Sequence, residues 1–398
     1  MIRLATDKLN ADDELCFLCF GGEDWWYHNH GHIGFQLMRR LARTGKVLYV
    51  NSIVMQKPNF HKGGGFFKKL IRKSRSIFKG LKKVDDAFWV YSPFSLPVHH
   101  IPWLTGFNER ILRWQVSLVL RKLGIKRPVI LVGCPAACKS AVKMKKRCLL
   151  YQRTDLYEAF PSVDEKIITG YDRQLKAEAD ITYFVNKKMF SDESSHCRHS
   201  LFLDHGVDFE MFASPQRQAD IPDDMRGIKG PVIGYFGAIN SHTVDIDFIE
   251  RVAEILRDMS FVLVGGTNED YVSLRSRPNV WMLGKKSYDR IPVYGKCFDV
   301  AIMAWQKTAW IDACNPVKLK EYLALGKPVV STSFAELEEY LDVVYAADTP
   351  ERFAECIKQA LAEDSPGLAE LRRRKVRAAT WESKAEIMLQ EVRAVTCR

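Results

Sequence analysis

Two charged side chains stand three residues apart near the start of a predicted helix in the stretch 315–332, NPVKLKEYLALGKPVVST. Asn315 and Pro316 favour a helix start, because asparagine accepts hydrogen bonds from free backbone N–H groups and proline fits the first turn. Those N–H groups and the positive end of the helix dipole suit a diphosphate. Lys318 adds a full charge there, and Glu321 on the same face can accept both ribose hydroxyls. The spacing predicts a nucleotide site, and a plain amphipathic helix with an ion pair fits it equally well.

The elements around this helix follow a repeated pattern. Strand, loop, helix and strand open the chain, a polar Pro- and Gly-rich segment at 213–230 is typical of a linker, and the pattern then restarts. This order predicts two doubly wound α/β units. We expect buried strands at 14–20, 47–50, 129–133, 148–151, 181–185, 200–203, 231–236, 261–264, 280–283, 298–303 and 328–331.

Composition sets further limits. The chain has 398 residues, which is too long for one ordinary core, and a net charge of +11. Its start lacks the apolar core of a signal peptide, and it contains no apolar run of about 18 residues, so we expect neither secretion nor a transmembrane helix. The ten cysteines are scattered, which fits reduced thiols in a cytosol.

The stretch 315–332 resembles the donor-binding motif of GT-B glycosyltransferases of the family-4 and family-1 type, which include capsule, exopolysaccharide and teichuronic-acid enzymes. Their pattern P-x-K-x-x-E-Y-L-A-x-G-K-P-V-V is matched here from Pro316 to Val330. The resemblance extends to YFGAI at 235–239, HGVD at 205–208 and FDVA at 298–301.

This resemblance implies an α/β GT-B fold, with two Rossmann-like doubly wound domains facing a cleft. It implies an acceptor-side domain at 1–212, a linker at 213–230, a nucleotide-sugar-binding domain at 231–370 and a C-terminal helix at 371–398. That helix is expected to cross back to the first domain.

The implied activity is transfer of a sugar from a UDP or GDP sugar to a glycan or lipid-linked acceptor in surface polysaccharide biosynthesis. The family analogy implies retention of configuration, with no metal and no cofactor, and we expect no nucleic-acid partner. Two alternatives remain: a nucleotide-sugar epimerase of the same fold, and a non-catalytic protein that binds sugar nucleotides or polyanions.

Carried over by the resemblance, the expected nucleotide-sugar-binding residues are Gly237, Asn240, His242, Asn315, Val317, Lys318, Leu319 and Glu321. The family commonly has a second acid eight residues before the glutamate, where this chain has Ala313 with Asp312 beside it. The identity of the transferred sugar therefore stays open. Asp245 and Asp247 form a D-x-D pattern that we expect to cap a helix rather than hold a metal.

The other half of the site is expected in the first domain. The loop 25–32, WWYHNHGH, follows the first predicted strand, where ligands of α/β sheets bind. We expect His28 and Gly31 to face the donor phosphates or the acceptor, and His30 and Asp155 to be catalytic. A loop packed under its own aromatic rings and a surface aspartate are the alternatives.

A basic stretch at 61–84 carries nine lysines and arginines and no acid among them. Its apolar residues share a broad helical face, which predicts an interfacial amphipathic helix. We expect Lys68, Lys69, Arg72 and Lys73 to bind an anionic membrane, and the protein to be cytoplasmic and attached to the inner face of the plasma membrane. Nucleic-acid binding and a solvated loop are the alternatives.

Overall fold

The computed structural model describes residues 15–53, 63–95, 102–160, 163–214, 221–267 and 269–396, with the backbone alone at 63–70, 102 and 103. The chain divides into two compact units. The N-terminal unit comprises Met1–Val185, Met189–Leu203 and Ala385–Arg398, and the C-terminal unit comprises Asn186–Lys188 and Asp204–Lys384. Each unit is built on one largely parallel sheet, so the prediction of two doubly wound α/β units is confirmed.

The sheet of the N-terminal unit has eight strands in the order β3-β4-β2-β1-β5-β6-β7-β8. All pairs are parallel except the edge pair of β3 and β4. The central strands are continuous apolar runs because helices cover both of their faces. The strands are β1 (Phe17–Phe20), β2 (Val47–Val50), β3 (Leu81–Asp85), β4 (Phe88–Tyr91), β5 (Val129–Val132), β6 (Cys148–Arg153), β7 (Ile181–Phe184) and β8 (Ser200–Phe202).

Within the described residues these strands are accompanied by α1 (Ile33–Leu41), α2 (Gly63–Lys79), α3 (Pro102–Lys122), α4 (Cys138–Lys143), α5 (Glu165–Glu178) and α6 (Lys187–Glu193). The expected basic helix is therefore α2, and it ends earlier than predicted. Gly80, with a φ of 57°, terminates it, and Lys82 and Lys83 lie in the edge strand β3. No helix in the described ranges is long and apolar enough to cross a membrane.

The sheet of the C-terminal unit has six parallel strands in the order β11-β10-β9-β12-β13-β14. The strands are β9 (Val232–Phe236), β10 (Ser260–Val264), β11 (Val280–Met282), β12 (Val300–Met303), β13 (Val329–Ser331) and β14 (Tyr345–Ala346). The helices along this part of the described chain are α7 (Phe209–Ala213), α8 (Ile246–Ile255), α9 (Val272–Ser276), α10 (Ile291–Lys296), α11 (Ala309–Asp312), α12 (Val317–Leu325), α13 (Pro350–Glu363), α14 (Pro366–Val376) and α15 (Trp381–Thr396), and most of α15 belongs to the N-terminal unit.

The units meet in sequence at Asp204, ahead of the linker expected at 213–230. The reason is packing: Phe209 and Phe212 of α7 lie in one core cluster with Phe236. The expected C-terminal helix at 371–398 is in fact formed by parts of two helices, α14 and α15. Residues 385–398 belong to the N-terminal unit.

Candidate functional site

Helix α12 begins one residue later than its sequence suggests. Pro316 occupies the N-cap position, with φ −76° and ψ 118°. The expectation that Asn315 caps this helix is therefore wrong, and Asn315 lies buried just before the cap. Because a proline side chain has no acceptor, the N-cap leaves the first-turn N–H groups without a side-chain cap. Gly326, at φ 79°, ends the helix.

Lys318 lies in the first turn of α12 and reaches the turn after β9. Its Nζ donates a hydrogen bond to the Tyr235 hydroxyl at 2.9 Å, and that hydroxyl donates to the Ala238 carbonyl at 3.0 Å. The ammonium also stands 5.1 Å from the centre of the Trp305 ring. The Lys318 ammonium group thus connects the start of α12 with the end of β9.

The turn that meets Lys318 requires glycine. Gly237 has a φ of 140°, and a Cβ there would stand 2.7 Å from Lys318 Nζ. A Cβ on Gly265, at the end of β10, would stand 1.7 Å from the Gly237 carbonyl oxygen. The two turns are therefore in backbone contact, and a side chain fits neither of them.

Glu321 is buried one turn after Lys318, and its Oε1 accepts a hydrogen bond from the Tyr288 hydroxyl at 2.8 Å. Burial raises the pKa of Glu321 to about 7, against the opposing effects of the Tyr288 hydrogen bond and the Lys318 charge. Asp208 adds to the rise in this pKa. The carboxyl group is therefore an acceptor whose charge changes near neutral pH.

The segment before α7 is held against α12. Buried Lys320 pairs with Asp204 and donates to the His205 carbonyl, and Lys384 pairs with the same aspartate. The nearby Lys320 and Lys384 charges hold the pKa of Asp204 below its usual value, although burial opposes them. These ion pairs fix the backbone that leads to Asp208.

The other expected donor-site residues have more ordinary surroundings. Asn240 Oδ1 accepts from the Thr243 N–H at 3.0 Å and closes a turn. The exposed His242 ring lies 5.8 Å from the Trp310 ring. Val317 is half-buried, whereas the Leu319 side chain belongs to the core, so only the Leu319 backbone is available to a ligand.

Sequence reasoning missed three aromatic residues of this cluster: Tyr235, Tyr288 and Trp305. They come from other elements, so no spacing within the motif indicates them. The buried Trp305 Nε1 has no hydrogen-bond partner in the part of the chain that the structure describes. An indole N–H beside Lys318 is a donor that a bound ligand can engage.

Two groups contain potential metal ligands: the D-x-D pattern at 245–247 and the stretch HCRH at 196–199. Asp245 caps α8, with its Oδ1 accepting from the Phe248 N–H at 3.0 Å, so the capping interpretation is confirmed. His199 Nε2 lies 3.2 Å from Glu391. Within the described ranges, no group of three or more His, Cys, Asp or Glu side chains is arranged to hold a metal.

In the N-terminal unit, the loop after β1 is folded on its own aromatic rings. The His30 ring packs against the Trp25 ring, with 4.4 Å between the centroids and 31° between the ring planes, and His30 Nε2 lies 3.1 Å from the Trp25 carbonyl oxygen. The Gly31 N–H donates to Asn29 Oδ1 at 3.0 Å. These contacts give His30 and Gly31 a place in the packing of the loop.

His28 has a different setting, beside a carboxylate that the sequence analysis did not single out. Its Nδ1 lies 2.9 Å from the backbone nitrogen and 3.1 Å from the carbonyl oxygen of Asp24. Its Nε2 faces Glu23 Oε2 at 3.3 Å, and His32 Nδ1 lies 3.9 Å from the other oxygen. Glu23 thus stands between two imidazoles.

Asp155 follows β6 at the same edge of the sheet and is only partly exposed. Burial raises the pKa of Asp155 to about 7, the Glu23 charge adds to the rise, and Thr154 and Arg153 oppose it. Asp155 and Glu23 are therefore close enough for their charges to interact. The structure brings together Asp155, Glu23 and His28, whereas His30 takes part in the packing of the loop after β1.

The backbone of Asp155 is fixed by a buried guanidinium. Arg153 is fully buried and donates to the Asp155 carbonyl at 2.9 Å. It also pairs with Glu158 at 2.8 Å and with Glu193 at 3.2 Å. Such a satisfied network positions the loop after β6, and removing one partner would leave a buried charge.

Helix α2 packs against the loop that follows β1 in the N-terminal unit. Its buried Ser76 donates to Asp24 Oδ2 at 2.8 Å, and Lys73 Nζ donates to the Ser52 carbonyl at 2.7 Å. Lys73 is thus tied to the protein, and burial lowers its pKa. Arg72 lies over the Tyr27 ring at 5.5 Å and remains exposed. The side chains of Lys68 and Lys69 lie outside the described ones.

Residues 230–363 match the family described as glycosyl transferases group 1. The resemblance to GT-B glycosyltransferases is confirmed. A relative provisionally named teichuronic acid biosynthesis glycosyltransferase TuaH, of Bacillus subtilis (strain 168), is 25% identical over 254 residues, 58% of this chain and 64% of the relative. The chain therefore aligns with less than two thirds of that relative's length.

Two solved structures are similar over nearly the whole chain. Sucrose-phosphate synthase of Thermosynechococcus elongatus has a TM-score of 0.69 at 15% identity, covering 96% of this chain and 99% of that one. Anabaena HepE in complex with UDP has a TM-score of 0.63 at 13% identity, covering 96% and 100%. These similarities confirm the predicted GT-B fold. The glycosyltransferase class rests on the family match at residues 230–363.

Proposed function

We propose that this protein transfers a sugar from a nucleoside-diphosphate sugar, with UDP or GDP as the carrier, to a glycan or lipid-linked acceptor. The observation that carries the proposal is the cluster at α12. This cluster combines a helix start that has no side-chain cap, Lys318 against the Gly237 turn, and buried Glu321 one turn later. Together they offer binding groups for a diphosphate and a ribose within one unit. The match of residues 230–363 to group 1 glycosyl transferases supports the same reading.

The donor would bind through contacts that the cluster already provides. First-turn N–H groups of α12 and Lys318 would hold the diphosphate, and they would stabilise the charge that develops as the sugar leaves. Glu321 would accept the ribose hydroxyls when it is ionised. The Trp305 N–H, which has no partner among the described residues, adds a donor for a phosphate or sugar oxygen. HepE, whose solved complex contains UDP, supports this class of donor.

In the N-terminal unit, Asp155 and Glu23 are the proposed catalytic carboxyl groups, and His28 is their proposed proton partner. The pKa of Asp155, raised to about 7, suits a group that exchanges a proton near neutral pH. His30 is proposed to hold the loop. Retention of configuration and independence of metal are proposed from the family resemblance.

The acceptor belongs to surface polysaccharide biosynthesis in this proposal. The provisional name of the relative TuaH, a teichuronic acid biosynthesis glycosyltransferase, supports that assignment. Helix α2 exposes Ile71 and Phe78, at 51% and 90%, beside exposed Arg72 and Arg75. Such a face favours attachment to the anionic inner surface of the plasma membrane, where lipid-linked acceptors are found.

Thermal-shift screening against nucleoside diphosphates and their sugars tests the donor and its base. A ligand at about 100 times its dissociation constant should raise the free energy of unfolding by about 2.7 kcal/mol. We expect UDP or GDP to stabilise the protein more than the corresponding monophosphate, because the monophosphate lacks the second phosphate for α12. Equal stabilisation by mono- and diphosphates would contradict the diphosphate assignment.

A non-catalytic sugar-nucleotide-binding protein is the second candidate. One observation favours it: the position of the family's second acid holds Ala313, which is buried and apolar. A turnover assay separates the two candidates, because only the enzyme releases nucleoside diphosphate from the donor that it binds.

A further inference from the structure

Helix α3 carries a row of large apolar side chains on its outer surface. Phe107, Trp114 and Leu118 are 55%, 64% and 39% exposed. Their spacing of seven and four residues places them on one face of the helix. The opposite face is fixed in the core of the N-terminal unit through Leu112 and Val116. The outer row is therefore held in place by a well-packed helix.

The charges on this outer surface all have one sign. Arg110, Arg121 and Lys122 are exposed along the same helix. The only acid in the sequence of α3 is Glu109, which is buried and lies 3.5 Å from Lys139. The outer surface of α3 thus combines aromatic and aliphatic groups with cations and presents no carboxylate.

A fourth apolar side chain is clamped beside this helix. Gln115 accepts from the Phe94 N–H at 3.0 Å and donates to the Phe94 carbonyl at 2.9 Å. Both the N–H and the carbonyl group of Phe94 are therefore hydrogen-bonded to Gln115, and Phe94 remains 47% exposed. We call Phe94, Phe107, Trp114 and Leu118, together with Arg110, Arg121 and Lys122, the α3 face.

We propose that the α3 face docks on an anionic lipid surface. Single exposed apolar residues are normal, but aligned ones flanked by charge mark an interaction site. An anionic bilayer meets both features, since arginine and lysine reach the headgroups while Trp114 and the phenylalanine rings enter the acyl boundary. A second copy of the chain fits poorly, because a symmetric pair would bring together two faces that carry cations and no carboxylate.

The α3 face is separate in sequence from α2, on which the proposed membrane attachment rests so far. The inference deepens the proposed function in one respect: a transferase with a lipid-linked acceptor has to work at a bilayer. Docking itself needs neither donor nor turnover, so it can be measured on its own.

Co-sedimentation of the full chain with vesicles of phosphatidylglycerol and phosphatidylcholine in equal parts tests the proposal. The variant W114S/L118S should weaken partitioning about tenfold, since two large apolar side chains lose their burial in lipid. R110E/R121E should weaken it by at least about fivefold for each charge, and added salt should do the same to the wild type. The control W281S removes a tryptophan that is 41% exposed in the C-terminal unit and should partition like the wild type.

Fluorescence locates the contact. Vesicles with brominated acyl chains should quench the wild type and W281F, and the quenching should fall in W114F, which keeps an aromatic ring at the site. Wild-type partitioning by W114S/L118S, or undiminished quenching in W114F, would overturn the proposal. So would a concentration-dependent dimer, or binding to an RNA oligonucleotide, that the α3 variants abolish. Thermal stabilisation by nucleoside diphosphates should persist in every variant, which keeps docking distinct from the donor assignment.

Discussion

Glu321 and Asp155 are the two carboxyl groups of the candidate sites whose pKa lies at about 7. Burial is the main cause in both. An acid whose pKa is raised by folding binds its proton more tightly in the folded chain, so its contribution to stability is present at low pH and is lost as pH rises towards 7. A ligand that needs the ionised form shows the opposite pH dependence.

Nucleotide affinity should therefore rise with pH. Between pH 6 and pH 8, Glu321 goes from mostly protonated to mostly ionised, and only the ionised form accepts both ribose hydroxyls. We expect UDP or GDP, whichever binds, to gain up to about tenfold in affinity across this range. Titration calorimetry of wild type and Glu321→Gln measures the difference, and parallel pH profiles of the two proteins would contradict the ribose role.

Removing the carboxylate should itself weaken binding. Glu321→Gln loses charge-assisted hydrogen bonds to the ribose, so we expect a loss of about 1.5–3 kcal/mol in nucleotide binding at pH 8. The matched control is Glu336→Gln, another buried glutamate of the same unit, whose carboxylate accepts from the Lys187 N–H at 2.5 Å. Unchanged affinity in folded Glu321→Gln would remove this residue from the site.

The pair Lys318 and Glu321 could be found in the sequence because the helical period alone puts them on one face. Tyr288 and Trp305 could not, since they reach the cluster from other elements. Glu23 is not evident from the sequence for a different reason: it lies in a loop of many polar and aromatic residues, and only the folded loop shows that His28 and His32 face it.

At the scale of elements, the buried strands were predictable because parallel strands covered on both faces are continuous apolar runs. The edge pair of β3 and β4 was not, since Leu81–Asp85 is short, charged and half-exposed. The start of α12 was predicted one residue early, because Asn-Pro is compatible with two cap positions. The resemblance of YFGAI at 235–239 indicates the turn at Gly237, but only the three-dimensional contacts with Lys318 and Gly265 show why the turn needs glycine.

Gly237→Ala should lower both stability and nucleotide affinity. Backbone strain at a φ of 140° should cost about 1–3 kcal/mol in the free energy of unfolding, and the added Cβ would displace Lys318. Gly227→Ala is the matched control, because Gly227 has a φ of 104° and no atom of the described residues lies within 4 Å of its Cβ position. Urea unfolding and nucleotide titration should show a stability loss in both variants and an affinity loss in Gly237→Ala alone. An equal effect on affinity in both would mean that Lys318 is not involved.

Charge reversal on α2 should weaken membrane attachment. The substitutions Lys68→Glu, Lys69→Glu and Arg72→Glu leave Lys73 in place, because its ammonium supports the Ser52 carbonyl. Each lost cation contributes about 1 kcal/mol at an anionic surface, and reversal adds repulsion. Sedimentation with anionic vesicles should fall while nucleotide binding stays intact. If the triple variant sediments like the wild type, α2 is not part of the attachment.

At the scale of the whole molecule, the two candidate clusters belong to different units. The nucleotide-type cluster at α12 lies in the C-terminal unit, and Asp155, Glu23 and His28 lie in the N-terminal unit. Two α/β units and the family resemblance were both evident from sequence. We propose that the C-terminal unit determines donor affinity and that the N-terminal unit determines turnover. These two quantities can be measured separately.

Release of nucleoside diphosphate from the bound donor sugar, measured for the wild type and Asp155→Asn with donor affinity determined in parallel, tests the central claim most directly. Because Asp155 is outside the unit that holds the nucleotide-type cluster, the variant should bind the donor like the wild type and turn it over at least about a hundredfold more slowly. Turnover near the wild-type rate would move the catalytic role to Glu23 and His28. A wild-type protein that binds the donor tightly and releases no nucleoside diphosphate, with glycan acceptors supplied, would contradict the claim that this chain is a glycosyltransferase.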